Sequence, residues 1–382
     1  MAAEWVKRGY KVTVLTGIPN YPMGKFFEGY DYTHKRRETW NGVDIIRIPL
    51  IPRGNSSNKL LNAAGMAANY MSFVAAGKNW VDHNDIGADL VFTFEVSPMT
   101  QALIGVWYGK KYHVPTFLYV QDLWPENVET VTGIHTKAVI GPIDKMVDKI
   151  YKDTDVIFTT SPSFVEAIDN RENKVPREKV KYWPQYAEDF YKPLPKQAID
   201  GIPDDDSFKI VFTGNIGTAQ GLDILPKTAD ILRDENVRFI IVGDGRYQAE
   251  LEQQIEDLGV KDKFIMIPRV KAERIPEILS ACDAGFISFN KTPLWEMTIP
   301  AKLQSYMACG KAIVASASGE TKHIIEEADC GICTELGNPE ELANGIRMLM
   351  GKDIEKAGKN ARAYFENHFN KTLLMDEMEK YF

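Results

Sequence analysis

SFKIVFTGNIGTAQGL, residues 207–222, carries an apolar strand into a glycine-bearing turn and a helix start, and FNKTPLWEMTIPAKLQSYMACGKAIVAS, residues 289–316, repeats the device after a second strand. That succession is how α/β folds aim backbone N–H groups at a phosphate. Two phosphate-facing edges in one half of the chain point to a nucleotide donor.

Working outward, short apolar runs near 238–242, 263–267, 284–288, 311–315 and 331–334 join the strand at 208–213 in an alternating strand and helix series. Upstream, QYAEDFYKPLPKQAIDGIPDDD (185–206) has three prolines, many acidic residues and no period, which is the composition of a linker. Before it the alternation resumes, with strands expected at 11–16, 43–50, 89–95, 115–120 and 155–161. Two of these end in Ser97-Pro98 and Ser161-Pro162, where serine suits a helix cap and proline the first helical turn. The reading is of two Rossmann-like, doubly wound parallel-sheet domains, 1–184 and 207–370, with ligands expected in an interdomain cleft. A last helix at 371–382 is placed to pack back onto the first domain. Residues 2–9 read as a helix ahead of the strand at 11–16. Either the central first strand of this domain is missing, or the domain is built helix-first.

The 382 residues suit two domains with full cores, and 44% hydrophobic with 26% charged residues exclude the disordered and fibrous classes. The net charge of -8 divides into +1 over residues 1–200 and -9 over 201–382. No nucleic-acid partner is expected from such a balance, although the first half is compatible with an anionic surface. Cys282, Cys309, Cys330 and Cys333 all lie in the second half and read as buried free thiols of a reducing cytoplasm, since the lone CxxC has no second pair. MAAEWVKRGY is amphipathic and contains Glu4, unlike a signal peptide.

Gly214, Gly217 and Gly221 surround the first turn, either to let backbone approach a ligand or to cap the helix. VGDGRYQAEL (242–251) repeats the pattern with Gly243, Asp244 and Gly245. Lys302, just after Pro300 at a helix start, is either a solvated lysine or a point charge for phosphate oxygens. Glu296 lies upstream, where a carboxylate reaches sugar hydroxyls.

These stretches, FTGNIGTAQGLDIL, IIVGDGRYQAEL, IPRVKAERIPEILSACDAGF and IPAKLQSYMACGKAIVAS, resemble the retaining GT-B glycosyltransferases of the family 4 type. RGYKVTVLTGIPNYPMGKFFEGY and YVQDLWPEN look like the bacterial O-antigen and capsule group, the fucosaminyltransferase-like proteins especially. The resemblance spans almost the whole chain and implies a GT-B fold, a nucleotide-sugar donor on the second domain and an acceptor on the first. It implies neither a cofactor nor a required metal. The family's first strand and its glycine-rich loop have no counterpart here. Where the family grips the diphosphate with an Arg and a Lys, this chain has Asn215 and Gln220, so Lys302 and Arg269 are the expected substitutes, helped by backbone N–H groups of the 214–218 turn. The family's paired glutamates, eight positions apart, fall on Met297 and Ser305; Glu296 with Gln304 keeps the step one residue earlier, and Glu320 in SGETKH is a fallback for the ribose. On the acceptor side Asp122 of QDLWP either orients or deprotonates a hydroxyl, or caps the turn before Pro125. Glu95 has a similar claim, and Lys25 in NYPMGK is a candidate contact to an acceptor pyrophosphate.

KLLNAAGMAANYMSFVAAGKNW (59–80) is apolar on nearly all sides, and is therefore either core or a helix lying in a membrane interface with Arg47 and Arg53 near headgroups. The expected activity is transfer of a sugar from a UDP-linked N-acetyl amino sugar, such as UDP-FucNAc, to a polyprenyl-diphosphate-linked saccharide by a cytoplasmic enzyme peripheral to the membrane. A nucleotide-sugar 2-epimerase and an inactive or truncated nucleotide-sugar-binding subunit are the alternatives.

Overall fold

The computed structural model describes residues 1–56, 58–172 and 175–382. Its contacts divide the chain into two units, the first comprising Met1–Glu129, Ile134–Phe158 and Asn173–Lys179, the second Thr130–Gly133, Thr159–Glu172 and Val180–Phe382. Residues 159–172 and 180–184 thus group with the second unit, not with the 1–184 block expected from sequence. The reason lies in their partners. Trp183 Nε1 donates to the carbonyl of Leu374 at 2.7 Å, and Lys371 bonds both Glu188 (3.0 Å) and Asp189 (2.9 Å). The last helix, Lys371–Glu379, is therefore anchored to residues 183–189 inside the second unit.

The strands of the first unit are β1 (Thr13–Gly17), β2 (Arg37–Trp40), β3 (Val43–Ile48), β4 (Val91–Glu95), β5 (Thr116–Val120) and β6 (Val156–Thr159). β3 pairs in parallel with β1 and antiparallel with β2, in the order β1-β3-β2. Sequence patterning passed over β2 because RETW is largely exposed and lacks an apolar face. Its signal was Asn41-Gly42, both at positive φ (48° and 79°), the two-residue turn that hairpins favour. β4, β5 and β6 follow one another in a separate sheet, with β4 parallel to β5. No strand among the described residues joins β1 to β4. β1 is half-buried along its length, whereas β5 is buried throughout.

The apolar helix of this unit spans Lys59–His83. Val74 and Val81 are buried and Gly77 sits against Ile104, so one side of the helix is core. Leu61 (64% exposed) and Met71 (62%) lie on the other side. No described helix is long and apolar enough to cross a membrane.

The second unit opens with the short strand β7 (Val180–Tyr182) and continues through β8 (Phe208–Thr213), β9 (Val237–Val242), β10 (Phe264–Ile267), β11 (Ala284–Ser288), β12 (Ala312–Ser316) and β13 (Gly331–Thr334). The last six form one parallel sheet in the order β10-β9-β8-β11-β12-β13. Ile210 and Phe212 point into one apolar cluster with Phe239, Phe286 and Val314, while Val211 points into the other with Ile240, Ile287 and Ile313. Helices cover both faces, which is why these strands read as unbroken apolar runs. The strand order reverses between β8 and β11. In open α/β sheets the crevice at that point, at the carboxyl ends of the strands, is where ligands bind.

Ser161 caps its helix as expected, accepting a hydrogen bond from the Phe164 N–H (3.2 Å) with Pro162 in the first turn. Ser97 does not cap. Its hydroxyl accepts instead from Trp124 Nε1 (3.0 Å) and Asn127 Nδ2 (3.2 Å).

Candidate functional site

Three loops meet at the reversal point of the second unit. The loop after β8 is zipped to the loop after β9: the Gly214 N–H donates to the Val242 carbonyl (2.9 Å), Ile216 N–H to Asp244 (2.8 Å) and Tyr247 N–H to Ile216 (3.1 Å). Gly243 lies at φ 146°, and a side chain there would collide with the Gly214 carbonyl, so only glycine lets the two loops touch. The loop after β11 joins them. Asn290 N–H donates to the Ala219 carbonyl (3.1 Å), and the Ser288 hydroxyl donates to that of Gln220. Gly221, at φ 57°, presses on the Phe289 carbonyl.

Lys302 stands in the first turn of the helix Ala301–Ala308 and reaches over this junction. Its Nζ donates to the Gln220 side-chain carbonyl and lies 4.0 Å from the centroid of the Phe212 ring. Burial pushes this ammonium down to about 7. The helix is held in place by Tyr306, fully buried above Gly285, whose hydroxyl sits 2.9 Å from the Thr213 N–H. Lys302 and Gln220, 82 residues apart, thus meet beside the loop glycines Gly214 and Gly217, with Asn215 exposed on the same turn.

Other expected residues are engaged elsewhere. Arg269 is exposed and forks onto Asp244, with Nε at 2.8 Å and Nη2 at 2.6 Å from Oδ1, so its charge is already matched within the loop after β9. Glu320 is largely buried, and its Oε1 accepts from the Ser163 N–H at 2.8 Å and from the Ser163 hydroxyl; it serves a helix start, not an open site. Ser305 donates back to the Ala301 carbonyl (3.0 Å), and the Gln304 side chain is buried. Glu296 remains exposed at the end of the short helix Pro293–Glu296, where Gly319 packs on its carbonyl. Two residues that sequence reading did not single out lie next to it. The Thr292 hydroxyl and Trp295 Nε1 are buried without a partner among the described residues, and Trp295 stacks on Phe289 (5.8 Å, 12°). Their signal was position alone: the loop that follows the strand at the reversal point.

The first unit carries its own polar cluster at the carboxyl ends of β4 and β5. The Ser97 N–H donates to Asp122 Oδ2 at 2.8 Å, which ties the loop after β4 to the loop after β5. Asp122 therefore does hold a turn, that of Ser97 rather than Pro125, and it stays only half-buried. Glu95 is fully buried, so it makes no surface for a ligand. Lys25 is exposed in the loop after β1, near the Gly24–Gly54 backbone contact.

Comparison with known proteins bears on what these loops hold. A family model described as glycosyl transferase 4-like domain matches residues 1–185, and one described as glycosyl transferases group 1 matches 196–365. Both halves of the chain thus match glycosyltransferase domains, and its fold is GT-B. It is 27% identical, over 96% of its length and 91% of the relative's, to Escherichia coli (strain K12) WcaI, which is named as a colanic acid biosynthesis glycosyl transferase. Among solved structures it resembles a sucrose-phosphate synthase from Thermosynechococcus elongatus (TM-score 0.74, 17% identity, covering 99% of this chain and 90% of that one). It also resembles Anabaena HepE, solved in complex with UDP and glucose (TM-score 0.66, 17% identity, covering 89% and 86%).

Proposed function

We propose that this glycosyltransferase moves a sugar from a UDP-linked N-acetyl amino sugar to a polyprenyl-diphosphate-linked saccharide in the assembly of a surface polysaccharide, with retention of configuration and without a required metal. One observation carries the donor half of this reading: Lys302 waits at the reversal of the strand order with a neutral carbonyl as its partner and no carboxylate paired with it among the described residues. A diphosphate fits there. The bond from the anomeric carbon to the diphosphate oxygen breaks with its electrons leaving on the diphosphate. The acceptor oxygen bonds that carbon, and its proton passes to the leaving phosphate. Lys302 and the N–H groups of the 214–218 turn stabilise the departing charge, and Asp122 orients the acceptor hydroxyl. The likeness to WcaI supports a polysaccharide product, and the UDP complex of HepE supports the base.

The lipid half rests on the first unit. Ile51 and Arg53 are held to the Lys59–His83 helix, the former through the Ser72 hydroxyl (2.8 Å) and Asn69 Nδ2, the latter through Met66. Arg53 also lies over the Tyr21 ring. Tyr21, Met23, Ile51, Leu61 and Met71 are all exposed, with Arg53 beside Tyr21, and this supply of exposed apolar side chains next to a basic residue supports contact with an anionic membrane surface. A second reading, a nucleotide-sugar-binding subunit without turnover, draws on Arg269 being spent on Asp244. A thermal-shift screen of nucleotide sugars followed by a transfer assay separates them. Stabilisation by UDP-sugars with transfer supports the enzyme; stabilisation alone supports the subunit, and no response to any nucleotide sugar sinks both.

A further inference from the structure

Glu95 ends β4 with a carboxyl group that the chemistry above does not use. It is 0% exposed, and neither of its oxygens meets a donor at hydrogen-bonding geometry. The backbone N–H groups of Asp122 and Gln121 act on it in favour of the ionised form, while burial and the charge of Asp122 act against that form. No cation among the described residues offsets it. The register explains the proximity. Glu95 pairs with Val120 at the last position of β4 and β5, and its main-chain carbonyl accepts from the Gln121 N–H (2.9 Å), which sets Asp122, the next residue of the loop after β5, beside it. A buried carboxylate without donor or cation is far costlier than the neutral acid, and two neighbouring carboxyls resist ionising together. Burial first, and then the charge of Asp122, hold Glu95 well above the ordinary carboxylate range.

We propose that Glu95 and Asp122 work as one carboxyl pair holding a single proton, in which Glu95 keeps the proton and thereby positions Asp122 as the hydrogen-bond acceptor for the hydroxyl of the saccharide. This rests on the transferase reading and extends it to the acceptor side. Glu95 is a positioning residue, since its burial keeps it from the substrate. Asp122 already spends Oδ2 on the Ser97 N–H, which leaves Oδ1 for the saccharide. In Asp122→Asn the one remaining oxygen is drawn to Ser97 and an NH2 group faces the acceptor, the wrong polarity.

The test reads both a spectrum and a rate on the full chain. Infrared spectra at neutral pH should show a protonated-carboxyl band that Glu95→Gln abolishes, a readout independent of any activity. In transfer assays Asp122→Asn should lower kcat about tenfold to 100-fold, the range set by a misdirected buried hydrogen bond. Glu95→Ala should lower it less, and Glu95→Gln should restore the loss. The wild-type kcat/KM should also fall at alkaline pH, where Glu95 ionises beside Asp122, and the Gln variant should lose that limb. An unchanged band in Glu95→Gln, or matching alkaline limbs in the two proteins, overturns the pair. A wild-type chain that shows the band but transfers no sugar overturns the transferase reading, and the role given to Asp122 falls with it.

Discussion

Burial brings the Lys302 ammonium to about 7 in the ligand-free protein, against an ordinary 10.5, and this makes donor binding a proton-linked event. A diphosphate beside Nζ favours the charged form and raises its pKa. Between about 7 and the raised value, binding must therefore take up a proton, and affinity for a UDP-sugar should fall by up to tenfold per pH unit above about 7 and level off below it. Calorimetry in buffers of different ionisation enthalpy counts that proton directly. The same shift acts on stability with a fixed sign: the unfolded chain holds the Lys302 proton up to about 10.5, so this group adds stability as the pH rises from about 7 towards that value. Lys302→Ala should weaken UDP-sugar binding by about 1.5–3 kcal/mol, the worth of a charge-assisted hydrogen bond, and abolish the proton uptake. Unchanged affinity and unchanged uptake would remove Lys302 from the site. At this scale the sequence was legible in part. Asn215 and Gln220 are visible as departures from the family the chain resembles, and Lys302 as a charge at a helix start that could replace the missing pair, but that Lys302 bonds Gln220 depends on a fold that brings positions 220 and 302 together. The capture of Arg269 by Asp244 and of Glu320 by Ser163 is equally non-local, and no spacing rule announces it.

Elements were easier to read where both faces are buried. β8 and β11 coincide with their expected ranges, 208–213 and 284–288, because helices on either side of the sheet demand apolar residues at every position. β2 escaped because an exposed strand needs no such pattern. The Lys59–His83 helix shows why sequence left two readings open: Val74, Gly77 and Val81 serve the core, and Leu61 and Met71 serve no contact that would hide them. If that outer stripe rests on lipid, replacing Leu61 and Met71 together with aspartate should strongly reduce sedimentation with anionic vesicles, since each apolar side chain is worth about 1.5–3 kcal/mol when buried. Undiminished sedimentation of the double variant would assign membrane contact to another surface, and an intact melting temperature would show that the fold is not the cause of any loss.

On the scale of the molecule the two units differ in how their sheets are closed. The second has one six-stranded sheet in which β8 is paired on both sides; the first has its strands in two sheets, with β1 and β4 each paired on one side. Amides of β8 and β11 should therefore exchange far more slowly than those of β1 and β4, because a strand with one neighbour opens without breaking a second ladder. Equal protection in native-state hydrogen exchange would show that β1 and β4 are paired in solution. The divided sheet also has a bearing on handling. An open strand edge is a template that does not discriminate between its own chain and another molecule of the same kind, and natural sheets usually blunt such edges with charge, proline or a covering segment. VLT of β1 and VFTF of β4 carry neither charge nor proline, and the cover on β4 is the helix Ala2–Lys7, whose Trp5 packs edge-on against Phe92 (4.9 Å). Where that cover ends, these two rows are where a second copy of the chain can add a strand, so loss of material from a concentrated solution is expected to start in the first unit and not in the doubly paired sheet of the second.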